Sequence, residues 1–188
     1  MPSLIDIRRR VRSVKNTQQI TKAMKMVSAA KLRRAQDRVI AARPYADKIA
    51  HTVAALAKRS EALGEAPHPL LVHRPESKKG GVVEILSITS DRGLCGAFNA
   101  NIIRTINRLL REDYAAQAAN GNVKVLCIGK KASEFFSRAK GNVFAGQHND
   151  VYAQLTFDNS AAIAEKIMAE FKDGAYDKVV LVYNQFKN

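Results

Sequence analysis

The sequence predicts an α/β protein: a long N-terminal coiled-coil helix followed by a doubly wound, Rossmann-like, mainly parallel sheet domain. Three observations predict it. Residues 3–60 carry apolar residues at heptad spacing, with no glycine and with Pro44 as the one proline. Residues 61–81 collect Gly64, Pro67, Pro69, Pro75, Gly80 and Gly81, the composition of a linker. From Val82 onward, short apolar runs alternate with helical patterns. These breaks divide the chain into a basic helix (1–60), a linker (61–81) and an α/β domain (82–188).

The helix opens at Ser3, an N-cap with Asp6 three residues later, close to a capping box. Its seam begins with Leu4, Ile7, Val11 and Val14 and resumes with Leu32, Ala35, Val39, Ala42, Ala46, Ile49, Val53 and Leu56. In between, the same frame meets Gln18, Thr21, Lys25 and Ser28. A neighbouring stripe of Ile20, Met24 and Val27 takes over there, as a stutter allows. Pro44 should bend the helix rather than end it, because the frame runs through it. At 1.5 Å per residue the element spans ~85 Å, too long for the rest of the chain to cover. Part of it must project, and its apolar stripe needs a partner from another chain or another segment.

In the second half, Val82–Thr89, Val123–Gly129 and Lys178–Tyr183 read as strands, and Val143–Ala145 as a further short one. Ala97–Asp113 and Lys131–Arg138 read as helices. A third helix, capped by Asn159 or Ser160, runs to about Phe171.

The formal net charge is +14, from 31 Lys+Arg against 17 Asp+Glu. Residues 1–60 hold 15 of the bases and only three acids, Asp6, Asp37 and Asp47; residues 61–188 hold 16 bases and 14 acids. The surplus therefore belongs to the helix, where Arg8, Arg9, Arg10, Arg12, Lys15, Lys22, Lys25, Lys31, Arg33, Arg34 and Arg38 surround the stripe. Solubility alone does not require so much charge, and an acidic partner is implied: nucleic acid, an anionic membrane or an acidic protein surface. No run approaches the ~18 apolar residues of a membrane span. The basic start leads into helical periodicity rather than an apolar core, so it reads as mature structure, and the chain as soluble or peripheral.

Chemistry-bearing residues are few. The loop Ser90-Asp91-Arg92-Gly93-Leu94-Cys95-Gly96 lies between a strand and a helix, where doubly wound folds bind phosphates. It matches neither G-x-G-x-x-G nor a P-loop, and two glycines there more often serve a tight turn. Cys95 at a helix start has the setting of a reactive thiolate, but no histidine is near it in sequence. Cys127 sits in an apolar strand and reads as core. His68 and His73, five apart in a proline-containing segment, lack a third ligand and read as solvated. Met24 and Met26 read as core or interface filler.

The stretch from Asn16 to Lys31, Asn-Thr-Gln-Gln-Ile-Thr-Lys-Ala-Met-Lys-Met-Val-Ser-Ala-Ala-Lys, resembles the N-terminal signature of F-type ATP synthase gamma subunits. Arg43-Pro44-Tyr45, the Thr89–Gly96 block and Val182-Tyr183-Asn184-Gln185-Phe186 resemble the same family, in the same order across the chain. The resemblance implies a rotor shaft inside a ring of alpha and beta subunits, with no catalytic residue and no cofactor of its own. The N-terminal helix would form an antiparallel coiled coil with a C-terminal helix. Family members continue past a position like Asn188 into that helix, which this sequence lacks. The α/β domain would sit at the foot, against the epsilon subunit and the c-ring, on the cytoplasmic face of a bacterial inner membrane. Contacts to the alpha/beta ring are expected from Arg8, Arg9, Arg12, Ile20, Lys22, Met24, Lys25, Val27 and Lys31. The coiled-coil seam is expected at Leu4, Ile7, Val11, Val14, Leu32, Val39, Ile49, Val53 and Leu56. Two rival readings remain beside it. A basic-helix nucleic-acid binder explains the charge but not the attached α/β domain. A nucleotide-dependent enzyme needs a phosphate loop that the sequence does not show.

Overall fold

A computed structural model describes residues 3–72, 74, 81–139, 141 and 143–186. Much of the linker, Pro75 and Ser77–Gly80 included, lies outside the described residues, as does His73. The chain divides into two compact units, Met1–Glu65 and Ala66–Asn188.

The first unit is one helix, α1 (Leu4–Ala62), of 59 residues. Its start is a complete capping box. The Asp6 backbone N–H donates to Ser3 Oγ at 3.2 Å, and the Ser3 backbone N–H donates to Asp6 Oδ2 at 3.2 Å. The helix runs through Pro44, so the proline does not end it. Thr17, Thr21 and Thr52 turn their hydroxyls back onto carbonyls four residues earlier, which meets their hydrogen-bonding needs within the helix. No residue of α1 is buried.

The second unit holds a four-stranded, wholly parallel sheet in the order β3-β2-β1-β4. Its strands are β1 (Val83–Ile88), β2 (Val123–Ile128), β3 (Phe144–His148) and β4 (Lys178–Val182). The helices are α2 (Phe98–Arg111), α3 (Ala115–Ala119), α4 (Lys130–Phe136) and α5 (Phe157–Lys172). Alternation along β1 feeds two cores. Val83 and Ile85 join Val123, Val125, Cys127, Ile102 and Ile106 of α2, and Phe136 of α4. Leu86 and Ile88 pack with Leu126, Ile128, and Ile163 and Ile167 of α5. Helices thus cover both faces, and parallel strands buried on both sides read as the near-continuous apolar runs seen in the sequence.

Three boundaries differ from the sequence reading. α3 falls where no element was expected: five residues, Ala-Ala-Gln-Ala-Ala, are too few to show a helical period. α5 starts one turn earlier, because Thr156 is the cap and Asn159 donates its N–H to Thr156 Oγ1 at 3.3 Å. β3 is longer than Val143–Ala145, its Gly146 and Gln147 carrying no strand signal of their own.

One buried acid departs from the apolar pattern. Glu84 on β1 is 1% exposed, and its Oε2 has no hydrogen-bond partner among the described residues. Tyr176 hydrogen-bonds to it and donates its hydroxyl to Glu170 Oε2 at 2.7 Å. Burial pushes the Glu84 carboxyl above its ordinary range. The Tyr176 hydrogen bond opposes this, the charge of Glu170 adds to it, and Lys166 opposes it. The folded state therefore holds this proton more tightly than the unfolded chain does. The associated stability is full below the unfolded value of 4.5 and is lost as pH rises through the raised folded value. Glu84→Gln should remove that loss. In urea titrations followed by tyrosine fluorescence, the variant should exceed the parent in stability at pH 8, with the gap closing toward pH 4. An unchanged gap across that range would contradict the assignment.

Candidate functional site

α1 presents two kinds of residue to its surroundings and hides neither. The seam residues Leu4, Ile7, Val11, Val14, Leu32, Val39, Ile49, Val53 and Leu56 are all exposed, from 42% at Val39 to 75% at Leu4. Ile20, Met24 and Val27 are likewise exposed and, with Ala23 and Ser28, border one shallow concavity. Among the described residues, none of Arg8, Arg9, Arg12, Lys22, Lys25 and Lys31 is in an ion pair. At about 100° per residue, Lys31 shares the face of Ile20, Met24 and Val27, while Lys22 and Lys25 lie on the other side. The expected contact set is therefore not one face. A partner touching all of it must surround the helix.

The loop after β1 is the second candidate. Its own side chains hold it together with Asn99, which the sequence reading did not single out. Asn99, in the first turn of α2, accepts the Ser90 N–H at 3.0 Å and donates to Ser90 Oγ at 2.8 Å and to Cys95 Sγ at 3.2 Å. Ser90 Oγ donates to the Arg92 carbonyl at 2.6 Å. Asp91 reaches α4, where its Oδ1 accepts the Lys130 N–H at 3.0 Å. The result is a tied knuckle with Leu94 at its tip, fully exposed and in the left-handed region at φ 60°. Gly129, at φ 97°, lets the ends of β1 and β2 approach, since a Cβ there would collide with the Thr89 carbonyl.

This arrangement bears on nucleotide binding. A phosphate at the carboxyl edge of such a sheet needs free N–H groups at a helix start. At α4 that place holds the Asp91 carboxylate, which satisfies one of those donors and repels an anion. Cys95 is exposed and engaged by Asn99, and Cys127 is buried in the core, where burial pushes its thiol up to about 12. His68 is exposed and accepts the Leu70 N–H through Nδ1. Among the described residues, no three His, Cys, Asp or Glu side chains gather as a metal site. No helix among them is long and apolar enough to cross a membrane.

The described residues thus define a two-part chain: a long, basic helix with no buried residue, and an α/β unit with its own cores. Comparison with known proteins agrees: the family model described as ATP synthase matches residues 3–188, and the chain belongs to that family. The ATP synthase gamma chain of Chlorobaculum tepidum is 50% identical over 188 residues, all of this chain and 62% of the relative. The gamma chain of Chlorobaculum parvum is 48% identical over the same span, and that of Chloroherpeton thalassium is 46% identical over all of this chain and 60% of its own length. The chain thus spans about three-fifths of the curated relatives it matches.

Two substitutions test how the loop is built. Asp91→Ala leaves the Lys130 N–H without its acceptor and should cost about 1 kcal/mol. Gly129→Ala adds both the collision with Thr89 and a strained φ, and should cost about 3 kcal/mol or more. Midpoints of urea unfolding measure both, and equal shifts would contradict the asymmetry.

Proposed function

We propose that this chain is the central rotor shaft of an F-type ATP synthase, a non-catalytic subunit that couples ion translocation to ATP synthesis and hydrolysis. The observation that carries the reading is α1: 59 helical residues, strongly basic, with an apolar stripe and not one buried side chain. Its supporting fact is the identity to gamma chains over the full length of this chain. In this reading the seam residues pair with a further helix of the same subunit. The alpha/beta ring meets the rest of α1. The α/β unit meets the epsilon subunit and the c-ring, peripheral to a bacterial inner membrane.

A shaft biases its surroundings only by touching different subunits differently. α1 supports that role because its sides differ. Ile20, Met24, Val27 and Lys31 offer an apolar face with one cation, while Lys22 and Lys25 offer charge alone. Lys22, Lys25 and Lys31, in no ion pair among the described residues, suit acidic surfaces on the ring.

The reading predicts that charge reversal at Lys22, Lys25 and Lys31 weakens coupling. Membranes carrying the triple variant should lose roughly tenfold in ATP-driven ion pumping, with ATP hydrolysis retained, an effect of about 1.4 kcal/mol on the coupled state. Unchanged pumping would remove these lysines from the contact set. Affinity purification of the gene product after nuclease treatment should recover alpha, beta and epsilon subunits. Failure to recover them, with salt-dependent binding of the purified protein to duplex DNA instead, would favour the basic-helix nucleic-acid reading.

A further inference from the structure

The α/β unit carries a second concentration of charge that α1 does not explain. Residues 61–188 are nearly balanced, with 16 bases and 14 acids. Yet Arg104, Arg108 and Arg111 of α2 stand at i, i+4 and i+7, on one side of the helix, and all three are exposed. Arg104 donates Nη1 to Asn101 Oδ1 at 3.2 Å, a neutral partner that leaves its charge uncompensated. Among the described residues, none of the three is in an ion pair.

These guanidiniums line a concave groove of about 610 Å³. Ala100 and Ile103 contribute apolar lining from α2, and Phe135 of α4 stands among the lining residues. Phe135 is 43% exposed, but its ring is not loose. It meets Phe136 edge to face at 5.1 Å between centroids, and Phe136 is buried in the core at 1% exposure. A fixed aromatic ring and a row of free cations are the two parts of a recognition groove. Glu112, which also lines the groove, and the adjacent Asp113 are the acids at its end.

We propose that this groove docks an acidic amphipathic helix from a partner protein. Charge selects the sign: three guanidiniums outnumber the one acid of the lining, Glu112, and call for Asp and Glu on the occupant. The apolar lining calls for an apolar stripe between them. The walls select the conformation. α2 and α4 have spent their backbone groups on their own turns, so the groove offers no ladder to an extended segment. A helix arrives with its backbone already satisfied. From Ala100 to Arg111 the groove runs ~16 Å, about three helical turns. The inference concerns the α/β unit alone, so it stands or falls apart from the rotor assignment.

The test is photo-crosslinking in the cells that make the protein, with p-benzoylphenylalanine in place of Asn107, which lines the groove. The adduct is identified by mass spectrometry. The expected result is a peptide from a different polypeptide, with acidic residues flanking an apolar helical stripe. Arg104→Glu, Arg108→Glu and Arg111→Glu together should lower its yield about tenfold, and the triple lysine variant should keep most of it. All three positions are exposed, and circular dichroism checks that each variant folds. The proposal is overturned by an adduct with lipid, with a second copy of this chain or with a neutral or basic segment. It is equally overturned by no adduct, or by a yield that charge reversal leaves unchanged.

Discussion

A helix of 59 residues with an apolar stripe and no buried side chain cannot be at rest in water on its own. This constraint governs the whole account. Helical propensity and a good N-cap contribute only tenths to about one kilocalorie per mole each. Most helical stability comes from packing an apolar face. The two cores of the α/β unit are closed by its own helices, whereas α1 is closed by nothing among the described residues. The apolar residues are therefore placed in two ways: inward against the sheet, and exposed along α1 among the described residues.

The same economy appears at the loop after β1. A doubly wound sheet brings a loop and two helix starts together at its carboxyl edge, a place that many such folds use for phosphates. Here Asp91 occupies the start of α4 and Asn99 ties Ser90 and Cys95 into a fixed knuckle. The polar groups are spent on holding shape, and what the knuckle offers outward is Leu94.

Much of this was legible in the residues. The capping box at Ser3 and Asp6, the long helix and the alternating apolar runs depend on short-range chemistry, and each appears in the structure where it was expected. What short windows cannot carry was not legible. Thr156 is hard to tell from Asn159 and Ser160 because four cap-forming residues, Thr156, Asp158, Asn159 and Ser160, lie within five positions, and packing of Ile163 and Ile167 accompanies the observed register. Glu84 looks like the polar beat of a half-exposed strand, but helices on both faces bury it. Lys22, Lys25 and Lys31 look like one cluster in sequence and are separated by the turn of the helix. The groove brings Arg108 beside Phe135, far apart in sequence, so it exists only once α2 and α4 share a face of the sheet.

The central claim is mechanical, and rotation is its most direct measurement. Cys95 is exposed and gives a thiol for attaching a bead to the α/β unit of the subunit within its assembled ATP synthase. With the alpha/beta ring fixed to a surface and ATP supplied, the account predicts unidirectional, stepwise rotation of the bead. A complex that hydrolyses ATP while the bead stays still would contradict the account, and would make α1 a static tether rather than a shaft.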